Sequence, residues 1–153
     1  MNLKFLSGPL YCLLCIIFAA SAFGLNPQKA TERKSSMLDG TWIPIKAELG
    51  GQKIPEAGLK NTKLVLKGDG YTVEVSGILD RGKIKLLPDS EPKAMHIIGG
   101  EGPNKGKTIP AIYELKDDTL TICYNLNGES LPAEFKTDAG SQLYLATYKR
   151  QSN

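Results

Sequence analysis

Histidine is almost missing from this chain: His96 stands alone among 153 residues. A multi-histidine metal site is thereby excluded, and a serine or cysteine nucleophile has one imidazole at most to draw on. Cysteine is nearly as scarce. Cys12 and Cys15 lie in an apolar leader, and Cys123 is the only thiol after it. Once the leader is removed no internal disulfide can form, so packing alone must hold the core. No long apolar run is present either, since residues 10–23 fall short of the roughly 20 needed to cross a bilayer. Charge of one sign is not in excess. The formal net charge is +3, drops to +2 when Lys4 leaves with the leader, and is spread along the chain, which argues against nucleic acid as a partner.

What is present begins with Lys4, an apolar stretch over 10–20, and the small residues Ala20, Ser21, Ala22 and Gly24. This is the anatomy of a secretory signal peptide over 1–24, cleaved after Ala22 or Gly24, and it predicts a secreted or periplasmic protein with no stable membrane insertion after cleavage, the alternative being an uncleaved anchor. Lipidation would need a small residue before the cysteine, but Tyr11 precedes Cys12 and Leu14 precedes Cys15. The Cys12-Leu13-Leu14-Cys15 spacing resembles a redox or zinc motif but sits in the leader, where neither works. Residues 25–37 have almost no apolar content or period and read as a disordered tether.

The domain proper, 38–150, opens at Leu38-Asp39-Gly40-Thr41-Trp42, which holds the only tryptophan. From there short strands alternate with turn residues. Strands are predicted over 40–49, 63–67, 71–76, 82–87, 94–98, 108–115, 119–126 and 142–149, with one helical turn at 55–60. Gly68-Asp69-Gly70 forms a tight hairpin turn, and Pro44 implies an edge or a bulge in the first strand. The connection over 127–141 is long, so it either has a function or packs against the rest. Eight strands with mostly short connections predict an all-β fold: an antiparallel up-and-down barrel, whose closure removes exposed edges.

Four blocks carry a resemblance. Leu38-Asp39-Gly40-Thr41-Trp42, the run from Pro103 to Thr108, Ile112-Tyr113-Glu114-Leu115 followed by 118–124, and Pro132-Ala133-Glu134-Phe135 resemble an uncharacterised domain family abundant in planctomycete bacteria. The resemblance spans 38–150 and brings no established activity with it. That family's pattern is in turn similar to lipocalin-like, calycin-type barrels, in which a Gly-x-Trp opens the first strand and a basic residue of the last strand covers the ring. The resemblance implies structural roles for Gly40, Trp42 and Arg150, or Lys149 in its place. Leu131 stands where family members carry arginine, so no anion-binding role comes over to that loop.

Candidate chemistry is sparse. The run from Glu101 to Thr108 looks like a phosphate loop, but Glu101 replaces the first glycine and the context is strand-loop-strand, so a flexible hairpin loop is the simpler reading. His96 is one polar group on a strand face. Cys123 has no nearby cations to activate it and reads as an inert buried thiol. Asp69, Asp117 and Asp118 are turn residues, and no calcium loop is present. Glu134 is the one carboxylate to watch, on a loop for which Phe135 is the predicted anchor.

No acid, base and nucleophile set can be assembled, so the predicted protein is not an enzyme and has no cofactor and no metal. It is predicted to be a monomeric, exported, non-catalytic barrel that binds a small apolar or amphipathic molecule. The alternative is a structural or protein-interaction domain with a filled interior, since a barrel of eight strands is wide enough for either. The predicted ligand-binding wall comprises Tyr71, Val73, Val75, Ile84, Leu86, Ile97, Ile112, Tyr113, Tyr124, Leu143 and Leu145. A one-residue slip would exchange the faces. Trp42 would report binding near it by its emission.

Overall fold

The computed structural model describes residues 37–152. The leader, its cysteines and all of the tether except Met37 lie outside the described residues. Strands β1 (Gly40–Leu49), β2 (Gln52–Lys53), β3 (Thr62–Lys67), β4 (Gly70–Val75), β5 (Ile78–Leu87), β6 (Ala94–Glu101), β7 (Thr108–Lys116), β8 (Thr119–Asn125) and β9 (Leu143–Arg150) follow one another, with the short helix α1 (Glu56–Leu59) between β2 and β3. Every pairing is antiparallel: β1 pairs with β2 and with β3, each strand from β3 to β8 pairs with the next, and β9 pairs back with β1. The result is a closed eight-stranded up-and-down barrel, with β2 a two-residue hairpin off the end of β1.

Side-chain alternation makes the interior apolar. Trp42, Leu64, Leu66, Tyr71, Ile84 and Leu86 point inward together with Met95, Ile97, Ile109, Ala111 and Tyr113, and with Leu120, Ile122, Ala146 and Tyr148. The pattern shifts at Pro44. Pro44 lies opposite Tyr148 and Lys46 opposite Thr147, so Ile45 is the extra residue of a bulge. A missing N–H at Pro44 is tolerated at such an irregularity, and the extra residue lets Ala47 face inward where strict alternation from Trp42 would turn it out.

The two ends of the barrel differ. At one end Trp42 is fully buried, and its Nε1–H donates to Leu38 O at 2.9 Å. The Arg150 guanidinium carbon lies 4.2 Å from the ring centroid. Its nitrogens donate to Met37 O at 3.0 Å, to Asp39 O, and to Asp118 Oδ1 at 3.2 Å. Gly40 has φ +146, and a Cβ there would stand 2.8 Å from the arginine nitrogen, so glycine is what lets the guanidinium reach the ring. This end is closed by side chains from both termini of the domain.

A second apolar cluster lies outside the barrel wall. Ala94, Ile112 and Cys123, on the outward faces of β6, β7 and β8, are covered by Leu87, Phe135, Leu143 and Leu145. The long 127–141 connection therefore packs back on the sheet with Phe135 against this cluster. Three hydrogen bonds tie it to the β1–β2 hairpin: Thr137 Oγ1 accepts from Gly51 N at 3.1 Å and donates to Glu48 Oε2 at 3.4 Å, and Gly140 N donates to Gly50 O at 3.2 Å.

Candidate functional site

Opposite the Trp42 end the barrel opens into a cavity of about 450 Å³. The mouth is ringed by the β4–β5 turn, the β6–β7 loop and the ends of β1 and β8. Leu49, Val75, Ile78 and Leu126 line it, and each is more than two-fifths exposed, so the rim presents apolar surface to solvent. Deeper in, Leu64, Leu66, Val73, Met95, Ile97, Ile109 and Ile122 form the wall.

Polar groups in the cavity are few and specific. Tyr71, Tyr124, Tyr144 and Tyr148 supply phenols. Tyr124 and Tyr144 stack with ring centroids 5.7 Å apart, and the hydroxyls of Tyr124 and Tyr148 share a hydrogen bond at 3.3 Å. Burial raises all four hydroxyls, well above the usual tyrosine range for Tyr71, Tyr124 and Tyr148, and is reinforced at Tyr71 by its hydrogen bond to Asp80. These phenols are neutral near pH 7, serving as hydrogen-bonding groups and aromatic faces rather than as bases.

Asp80 is the one charged residue in the lining and is only 7% exposed. Its Oδ2 accepts from the Tyr71 hydroxyl at 3.0 Å and from Asn104 Nδ2 at 2.9 Å, and its Oδ1 accepts from Asn104 N at 3.0 Å. Asn104 arrives on the glycine-rich β6–β7 loop, which doubles back tightly. A Cβ on Gly99 would lie 1.8 Å from Asn104 O, and one on Gly102 would lie 2.3 Å from Leu79 O. Gly99 and Gly102 thus let the loop press Asn104 onto Asp80.

Of the predicted wall, Tyr71, Val73, Val75, Ile97 and Tyr124 line the cavity. Ile84, Leu86 and Tyr113 face inward but belong to the filled part of the core. Ile112, Leu143 and Leu145 are corrections: they face outward, into the cluster under Phe135. Strand geometry requires this, because Ile112 adjoins inward Tyr113, and Leu143 and Leu145 flank inward Tyr144. Sequence reading missed Tyr144 and Tyr148 for the same reason, having taken the more aliphatic face of β9.

Asp80 was missed because the fourth strand was predicted to begin at Gly82, whereas β5 begins at Ile78. Period-2 spacing in Ile78, Asp80, Gly82, Ile84 and Leu86 is the signal that would have found it. Trp42 does not line the cavity, which corrects the expectation that its emission reports directly on binding.

The remaining candidates lie elsewhere. His96 lies on the outward side of β6 between inward Met95 and Ile97, and Glu134 is exposed on the long connection. Cys123 is fully buried, and burial raises its thiol despite a contact to Lys136 O at 3.7 Å, so thiolate chemistry is suppressed. A larger concavity of about 660 Å³ lies outside the barrel between β1, α1 and β3. It is an open groove, and the Lys63–Glu74 ion pair at 3.2 Å spans two of its residues. No group of three or more metal-ligating side chains occurs among the described residues, and no helix among them is long and apolar enough to cross a membrane. Comparison with protein-family models, curated proteins and solved structures finds no match.

Proposed function

We propose that this protein is an exported carrier or sensor domain that holds one small amphipathic molecule in its barrel mouth without transforming it. The observation that carries this reading is the cavity itself, about 450 Å³ with a largely apolar wall and a few convergent polar groups. Small-molecule sites are of this kind, in the range of about 300 to 1,000 Å³. The exposed apolar rim also favours a ligand, since surface of that sort commonly marks binding. Export rests on the leader, and kinship with the planctomycete family rests on the four sequence blocks; both are part of the proposal.

Titration with a neutral apolar dye whose emission rises on leaving water tests the reading. Saturable binding to the wild type, lost in Val73→Trp and Ile97→Trp variants that fold and melt like it, is the expected result. Dye binding that those substitutions leave unchanged would place the site elsewhere. No saturable binding at all would favour a filled, structural barrel.

A further inference from the structure

The cavity is apolar, but its charge is one-sided. Its lining contains Asp80 and no lysine, arginine or histidine. None of the ion pairs among the described residues involves Asp80. Its carboxylate is held by the Tyr71 hydroxyl and the two donors of Asn104. An ionised carboxylate offers about four acceptor positions, so capacity for one more donor remains. All three partners are neutral, and a charge in an environment of low polarity is still short of a counter-ion.

Resting on the binding reading above, we infer that the cavity selects amphipathic cations: molecules with an apolar body and a protonated amine. Asp80 lies one inward-facing position in from Ile78, which is 62% exposed at the rim. A ligand entering tail first would lay its chain along Leu66, Met95 and Ile122 and bring its head group to the level of Asp80. Tyr124, Tyr144 and Tyr148 add aromatic faces, which attract ammonium groups further. A fatty acid would place a second carboxylate in the same poorly screened space, with no cation in the lining to offset either charge.

The test holds the chain constant and changes the head. Dodecylammonium, dodecanol and dodecanoate, each below its micelle-forming concentration and at neutral pH, compete with the neutral dye on the intact protein. Dodecylammonium should bind best and dodecanoate worst, the two separated by at least about tenfold, which is about 1.4 kcal/mol. Asp80→Asn should bring them within about threefold of each other. Because Asp80 also anchors the β6–β7 loop, a crystal structure of the wild type with dodecylammonium provides the check that needs no variant. Its nitrogen should lie within hydrogen-bond reach of the Asp80 carboxylate, and a nitrogen found outside the cavity would overturn the inference. If all three ligands bind and dodecanoate equals or exceeds dodecylammonium, charge selection is wrong while the binding reading stands. If the dye binds but none of the three displaces it, the cation inference falls while the binding reading stands; if the dye itself does not bind, both fall together.

Discussion

The two ends of the barrel are made from the same strands by the same alternation, yet one is sealed and the other open. At the sealed end Trp42 and Leu38 are buried against each other, the indole donates to Leu38 O, and Arg150 covers the ring while donating to Met37, Asp39 and Asp118. At the open end the corresponding positions carry Val75, Ile78 and Leu126, shorter side chains that reach the rim and leave a space between them. Barrel width does not decide between a filled and a hollow interior. What decides is the size of the inward residue in each layer and whether a segment of chain folds across the opening. In this molecule the termini cross one end, whereas the long 127–141 connection, which could have crossed the other, is pinned to the outer wall by Phe135.

Substitutions that sharpen this contrast should separate stability from binding. The largest loss should come from Trp42→Ala, about 3 to 5 kcal/mol by chemical denaturation, because it empties the best-packed layer. A value near zero would mean that the sealed end does not organise the fold. Alkaline pH should act next, and on the open end. Tyr71, Tyr124, Tyr144 and Tyr148 all have hydroxyls raised by burial, so the folded state keeps its protons where the unfolded chain loses them. Their contribution is complete below about pH 10 and is lost as pH climbs beyond it, with a slope of up to about 1.4 kcal/mol per pH unit for a fully buried tyrosine. Melting temperatures that stay level between pH 9 and 11, on the order of the tyrosine range, would show those hydroxyls to be wet.

Arg150→Ala should be milder, at about 2 kcal/mol, since it removes a cation–π contact and charged hydrogen bonds but leaves the tryptophan in place. Arg150→Lys should recover only part of that, because an ammonium cannot lie flat on the ring while reaching separate carbonyls. The smallest change in stability, within about 0.5 kcal/mol, should follow Val75→Ser with Ile78→Ser at the exposed rim. That pair should nevertheless weaken dye binding several-fold in the same titration. Equal losses of stability at the two ends would abolish the distinction between them.

Much of the barrel was legible in the sequence because short alternating strands and strong turn signals fixed the order of elements, and Pro44 flagged the bulge in β1. The faces were harder. Placing Arg150 over Trp42 already determines which side of β9 is inward: residues at even spacing from Arg150, namely Tyr148, Ala146 and Tyr144, must share its face. Leu143 and Leu145 looked more like a lining by composition, but the apolar side of a strand faces outward where another segment covers it, as Phe135 and the long connection do here. Asp80 was hidden differently. Asp80-Arg81-Gly82 has the composition of a turn, and it takes the period-2 run from Ile78 to Leu86, which pairs Asp80 opposite Val73, to make it part of a wall. Composition signals local structure well, but a polar residue used inside a barrel can carry the same local signature as one used at a corner.

The seam between β1 and β9 fixes more than closure. Gln151 N donates to Thr41 O at 2.8 Å, so the chain leaves the domain beside where it enters it, both at the sealed end. Whatever is joined before Met37 or after Ser152 therefore starts on the far side of the barrel from the mouth. A label or a second domain attached directly at residue 37 or 152 leaves the opening pointing away from its point of attachment. The same proximity makes the domain suited to circular permutation, with residues 37 and 152 joined by a short linker.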